Sequence, residues 1–98
     1  MICSVSNALY EETLNRLLEA IDGRSYFSGA VAFRFGPMPC RLVVSCFVRR
    51  AAVERPEGAF SRVCDLLPVW WEFHTFDPEA PADELLNDFS FNELRALL

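Results

Sequence analysis

Two neighbouring segments alternate between apolar and small or polar residues, and this pattern limits the possible folds more than any other feature of the sequence. In residues 25–35, aromatic side chains such as Phe27 and Phe33 recur on one side. Residues 40–50 alternate in the same way. Such a period of two, with aromatic and β-branched residues, is typical of half-buried strands. The Gly and Pro residues between the segments predict a turn, and therefore a β-hairpin.

The register of this hairpin depends on where the turn is centred. A centre between positions 37 and 38 would place Phe33 opposite Leu42 and make every pair on that face apolar. On the other face it would place Arg34 opposite Arg41. Because like charges repel across a ladder, we expect one of these arginines to meet an acid or an external anion.

A third strand is predicted after the turn at Arg55-Pro56-Glu57-Gly58, which has the residue preferences of a type I turn. Its apolar positions are even before Pro68 (Phe60, Cys64, Leu66) and odd after it (Val69, Trp71, Phe73). One extra residue in a strand reverses parity in this way. We expect a bulge or a break at Leu67–Pro68, so residues 59–76 form either one bent strand or two shorter ones.

Helices are predicted at both ends of the chain. Asn7 to Asp22 has apolar residues at helical spacing, and Gly23 would stop the helix. Asp77 to Pro81 is predicted to be a loop, with Pro81 at the first position of a short turn through Asp83 to Leu86. Ser90-Phe91-Asn92-Glu93 has the residues of a capping box, which would open a helix whose Leu94, Leu97 and Leu98 point inward.

The predicted fold class is α+β. The order is α-β-β-β(-β)-α, with an antiparallel meander sheet and both helices packed on one face, in a single domain over residues 1–98. We name the side that carries Phe27, Val31 and Phe33 the first face of the sheet, and the opposite side the second face. Whether residues 77–98 cover the second face stays open at this point.

Charge and composition narrow the functional classes. The net charge is −5, which argues against a general nucleic-acid binder. The charge is uneven, because residues 24–62 hold seven arginines against two glutamates. The N-terminal residues lack the basic region and apolar run of a secretory signal, and no apolar run approaches a membrane span. The expectation is a cytoplasmic protein without a membrane segment.

The sequence offers no pattern that predicts a metal or a cofactor. The four cysteines lie at positions 3, 40, 46 and 64, without the close pairs of a zinc site. We expect free thiols that behave as small hydrophobic groups. The isolated glycines do not form a phosphate-binding loop.

The second face is the candidate functional surface. It would present aromatic and aliphatic residues together with arginines, which is the composition of interface hot spots. The leading hypothesis is a non-enzymatic protein–protein interaction module whose partner is itself, as a homodimer, or another protein. The candidate residues are Tyr26, Arg34, Arg41, Val43, Phe47, Arg49, Trp70 and His74.

Two alternatives use the same surface. Arginines beside exposed aromatic rings also resemble a stacking platform for single-stranded nucleic acid, although the acidic balance disfavours it. A small enzyme could use Glu72 to orient His74 for acid–base chemistry. The enzyme hypothesis requires a concave pocket beside these two residues.

Overall fold

The computed structural model describes residues 2–98, and it is α+β as predicted. The elements are β1 (Ile2–Cys3), α1 (Asn7–Ile21), β2 (Tyr26–Phe35), β3 (Met38–Arg55), β4 (Gly58–Phe76), β5 (Glu84–Asn87) and α2 (Phe91–Arg95). All strands form one sheet in the order β1-β5-β4-β3-β2, antiparallel except for the β1–β5 pair. Within the described residues, neither helix combines the length and the hydropathy that a membrane crossing requires.

Helix α1 begins where the sequence predicts and ends one residue earlier. Ser6 is the N-cap, and its side chain accepts a hydrogen bond from the Leu9 amide at 3.2 Å. At the other end Asp22, rather than Gly23, adopts a positive φ of 51°. The buried side chains of α1 form a stripe that faces the sheet: Leu9, Tyr10, Thr13, Leu14, Leu17 and Ile21.

The hairpin of β2 and β3 forms, but its predicted register is wrong by two residues. The loop consists of Gly36 and Pro37, and Phe35 pairs with Met38. Gly36 has a φ of 59°, as the first loop position of a type II′ turn requires. Both faces survive, because a shift of two restores the same alternation. Arg34 therefore lies opposite Pro39 and Arg41 opposite Ala32, so the expected Arg34–Arg41 pair does not form.

Strand β4 is one continuous strand with two bulges. Ser45 pairs with Trp70 and Cys46 with Pro68, which leaves Val69 as an extra residue. The predicted bulge is thus confirmed beside Pro68. A second, unpredicted shift at Arg49/Arg50 leaves Cys64 extra. It reverses parity again, which is why Phe60, expected to be buried, is 49% exposed.

Both helices pack on the first face, as predicted. The buried core joins α1 to three strands and to the segment after β5, through residues such as Leu17, Ile21, Phe27, Leu42, Val44, Leu66, Phe73, Phe89, Phe91 and Leu94. Two residues expected in the core are only partly covered: Trp71 and Leu97 are each 37% exposed. Trp71 still contacts the core, with its ring 5.5 Å from that of Phe89.

The C-terminal segment does not cover the second face. Residues 84–87, of which 84–86 were expected in a turn, form β5, which pairs with β4 on one side and with the edge strand β1 on the other. Phe89 then stacks on Phe73 at 4.3 Å, on the first face. The Ser90 amide donates to the Tyr10 hydroxyl at 3.0 Å, whereas the Ser90 side chain makes no capping bond. The C-terminal segment therefore packs beside α1 and leaves the second face uncovered.

The β3–β4 hairpin extends beyond the rest of the sheet. The last pair with β2 is Tyr26–Phe47, so residues 49–65 form a two-stranded ribbon, here named the β-arm. At its base, the Arg50 guanidinium donates to the carbonyls of Asp22 and Arg24 at 2.6 and 2.7 Å. Asp65 accepts two bonds from Arg95 of α2, at 2.8 and 3.1 Å. The arm gives the molecule its long dimension, with extents of 50 × 25 × 19 Å.

Candidate functional site

The second face presents side chains in rows that cross β2, β3 and β4. The strand registers align Tyr26 with Phe47 and Leu67 in one row, and Ser28 with Ser45 and Trp70 in the next. Ala30, Val43 and Glu72 follow, and then Ala32, Arg41 and His74. All eight residues that the sequence singles out therefore lie on the sheet side that carries no helix.

Four large side chains form an exposed cluster at the middle of this face. We name Tyr26, Phe47, Leu67 and Trp70 the aromatic patch. Their exposed fractions are 43%, 54%, 38% and 50%. The rings of Tyr26 and Phe47 contact each other with centroids 4.9 Å apart, inclined by 56°. Adjacent exposed side chains of this size mark an interaction surface more often than isolated ones do.

A shallow strip separates the aromatic patch from a charged cluster. The hydroxyls of Ser28 and Ser45 lie 2.8 Å apart and satisfy each other across the strands. Ala30, Ala32 and the half-buried Val43 continue the strip. Small side chains here leave the sheet backbone open to close approach.

His74 is held by two carboxylates. Its Nε2 lies 2.9 Å from a Glu72 oxygen, and its Nδ1 bonds Glu84 of β5. The hydrogen bonds from Glu84 first, and from Glu72 second, raise the pKa of His74 above its ordinary value, because both stabilise the charged ring. Both ring nitrogens of His74 are therefore engaged by carboxylate oxygens.

The three arginines of this face occupy different surroundings. Arg41 is opposite His74, and its guanidinium lies 5.8 Å from the ring centroid of Phe76. Arg34 donates to the Pro37 carbonyl at 3.4 Å beside the hairpin turn. Arg49 lies opposite Asp65 in the strand register at the base of the β-arm. The hydrogen bonds from Arg95 do most to lower the pKa of the Asp65 carboxyl, and the charge of Arg49 adds a smaller effect.

An open cleft of about 390 Å³ lies beside His74, where β5 diverges from β4. Asn87 crosses the gap and donates to the Phe73 carbonyl at 2.9 Å. The cleft lining combines aromatic and acidic side chains and holds no cysteine or serine: Trp71, Glu72, Phe73, His74, Glu84, Leu85, Leu86, Asn87 and Phe89. The concave pocket that the enzyme hypothesis requires is therefore present, but its lining brings no hydroxyl or thiol nucleophile to His74.

The thiols lie elsewhere. Because β4 is continuous, Cys64 and His74 are ten residues apart on one strand, a separation of roughly 30 Å. Burial raises the pKa of the Cys40 thiol to about 11 and also raises that of Cys46. All four cysteines have free thiols. Residues 2–98 contain no group of three or more side chains placed to hold a metal ion.

Sequence reasoning missed two residues of this surface. Leu67 was assigned to the bulge and not to a face, and the register alone places it beside Phe47. Glu84 was assigned to a turn, and only the pairing of Phe76 with Glu84 brings it to His74. An acid ten residues after a histidine carries no spacing signal, so nothing local predicts this contact.

Comparisons with protein-family models, with curated proteins and with solved structures found no match to this chain.

Proposed function

We propose that this chain is a non-enzymatic protein–protein interaction module that self-associates through the second face, most simply as a cytoplasmic homodimer. One observation carries the proposal. Both helices and the segment after β5 pack on the first face, while the aromatic patch on the second face stays exposed. A surface of this kind loses its contact with water when a second copy covers it.

The composition of the surface supports a protein partner. Tyr, Trp, Phe and Arg are the residue types enriched where interfaces carry most of their binding energy. Here Tyr26, Phe47 and Trp70 occupy the centre, Arg49 follows Phe47 on the same side of β3, and Arg34 and Arg41 lie towards one end of the face. A second copy is the simplest partner, since two-fold homodimers are the commonest assemblies. The free thiols suit a reducing compartment.

The two alternatives have less support. An enzyme centred on His74 needs a ring nitrogen that reaches the substrate, and both nitrogens bond carboxylates of the protein. A single-strand binder needs a positive groove. Here the acids Glu72 and Glu84 lie beside Arg41, and the net charge of the chain is −5.

The test is the mass in solution, measured by light scattering at micromolar concentration. The wild-type chain is expected to have twice the chain mass, and Phe47→Asp is expected to be a folded monomer. A carboxylate at the centre of a dry interface would be buried without a partner. Leu97→Asp is the matched control, because Leu97 is also a large exposed apolar residue but lies after α2 on the helical side.

Three results would overturn the proposal. The first is a wild-type chain that stays monomeric, and the second is a Phe47→Asp variant with unchanged mass. The third is a monomer whose tryptophan fluorescence is quenched by a single-stranded oligonucleotide in a salt-sensitive way, which would favour the nucleic-acid alternative. Circular dichroism of each variant establishes that it is folded.

A further inference from the structure

Strand β2 is the last strand of the sheet and has a neighbouring strand on one side only. At its start, the Ser25 carbonyl accepts a hydrogen bond from the Val48 amide at 2.8 Å. Backbone groups alternate in direction along an antiparallel strand, so the odd positions of β2 bond to β3. The amide and carbonyl groups of the even positions therefore point away from the sheet, and these positions are Tyr26, Ser28, Ala30, Ala32 and Arg34.

The free edge of β2 lacks the features that usually prevent one sheet edge from pairing with another. Those features include short strands, bulges, proline and lysine. Strand β2 is ten residues long, contains no proline, lysine or acid, and pairs with β3 without a register shift. Its even positions from Ser28 to Ala32 are small and exposed, so the backbone of a further strand can approach closely.

A second copy of β2 fits this edge in the antiparallel direction. With a two-fold axis at Ala30, the Ala30 residues of the two copies pair, and Ser28 pairs with Ala32, so that outward backbone groups bond reciprocally. The same register places Tyr26 of one copy opposite Arg34 of the second, once at each end of the paired strands. Both side chains are exposed, and an arginine beside a tyrosine ring is attracted to it. The edge is therefore complementary to itself.

We infer that β2 is an edge-pairing site and that its partner is the β2 strand of a second copy, which joins two five-stranded sheets into one continuous sheet. The inference goes beyond the proposed function, because it uses the sheet edge and leaves the second face free. The association closes, since the strand left at each outer edge is β1, which has two residues. Contacts narrower than about 1,200 Å² are weak, so we expect a dissociation constant of about 0.1 mM.

The Phe47→Asp variant tests the edge separately, because this substitution is expected to block the face contact. Its mass by light scattering should be close to one chain at about 10 μM and close to two chains at about 1 mM. The outward amides of Ser28, Ala30 and Ala32 should exchange their hydrogens about fivefold more slowly at the higher concentration, where about a fifth of the chains would stay unpaired.

Ala30→Pro, added to Phe47→Asp, tests the backbone contact itself. It removes an outward amide and places a proline ring on the two-fold axis, and it removes no hydrogen bond to β3. This double variant should keep the mass of one chain at both concentrations. Ala30→Thr in the same background is the matched control, because threonine retains the amide and suits a strand, so it should pair as Phe47→Asp does. Circular dichroism establishes that each variant is folded.

The outcomes separate this inference from the proposed function. Edge pairing is wrong if Phe47→Asp keeps the mass of one chain at about 1 mM, or if it pairs equally well with Ala30→Pro. It is also wrong if the exchange of the three outward amides does not depend on concentration, a result that needs no proline variant. If the wild type is monomeric at micromolar concentration but Phe47→Asp pairs at the higher one, the proposed function fails and edge pairing stands.

Discussion

The Phe89 side chain packs the C-terminal segment against the first face, and truncating this side chain tests that packing directly. The side chain is 7% exposed. Its ring lies 4.3 Å from Phe73, 5.2 Å from Tyr10 and 5.5 Å from Trp71, measured between centroids. Truncation of a buried phenylalanine to alanine costs about 3–5 kcal/mol. Domains of this size have free energies of unfolding of about 5–15 kcal/mol, so Phe89→Ala should remove a large fraction of the total.

Part of this energy belongs to the stacked pair, whose ring planes are inclined by only 18°. Phe73→Leu, Phe89→Leu and the double variant form a cycle that keeps apolar volume in place. The expected coupling is roughly 0.5–1.5 kcal/mol beyond the sum of burial terms. Urea unfolding followed by circular dichroism measures each free energy. All variants are compared at one protein concentration, since self-association would add to the apparent stability.

Two results would refute this account. A cost below about 1 kcal/mol for Phe89→Ala would mean that residues after β5 do not share the core. Additivity within about 0.3–0.5 kcal/mol would mean that the two rings do not interact. Phe60→Leu on the β-arm serves as the control, because its exposed ring should leave the free energy of unfolding within about 0.5 kcal/mol of the wild type.

Three further outcomes follow from single groups. His74 is the only histidine, so a single imidazole signal in an NMR titration should report its raised pKa, and Glu84→Gln should lower that pKa. The stability that the charged ring contributes is fully present below the ordinary histidine pKa of about 6.5. It is lost as the pH rises through the raised pKa of the folded state. The pKa of Asp65 is lowered in the folded protein, so the stability that this carboxylate contributes is present above the ordinary aspartate pKa. This stability is lost as the pH falls through the lowered pKa. In an acid-unfolding experiment, Asp65→Asn should not show that loss of stability. Gly36→Ala should reduce the free energy of unfolding by about 1–2 kcal/mol, because φ is 59° at Gly36. Gly23→Ala should cause no such loss, because an added Cβ would have no heavy atom within 4 Å and φ at Gly23 is not in the left-handed region. Urea unfolding measures both variants.

The hairpin shows which part of a sheet local sequence can predict. Alternation assigns residues 26–35 of β2 and 40–49 of β3 to a face, and those assignments are correct; β3 itself extends beyond its predicted range of 40–50 to Met38 and Arg55. Alternation does not determine the register, because a shift of two residues leaves every side chain on the same face. The position of the turn determines which of these registers forms. Gly36 at a positive φ favours a two-residue loop with Pro37, and the predicted turn was centred one residue later. The false Arg34–Arg41 contact followed from that choice alone.

The candidate surface was predictable in its residues but not in its partners. Tyr26, Phe47 and Trp70 follow from strand parity, and the bulge beside Pro68 follows from a parity change. Glu84 reaches His74 through a strand of only four residues with two paired positions, and so short a segment has too little alternation to be recognised. The core position of Phe89 depends on the same missed strand.

The short parallel pair at the sheet edge has a consequence for the order of folding. Strands β2, β3 and β4 are joined by tight turns, so their pairing closes only small loops. Ile2 and Leu86, by contrast, pair across 84 positions of chain. Closing a loop of that length from the unfolded chain costs about 4 kcal/mol in entropy by the logarithmic estimate. We therefore expect the meander to fold first, and the two ends of the chain to join it together in the last step.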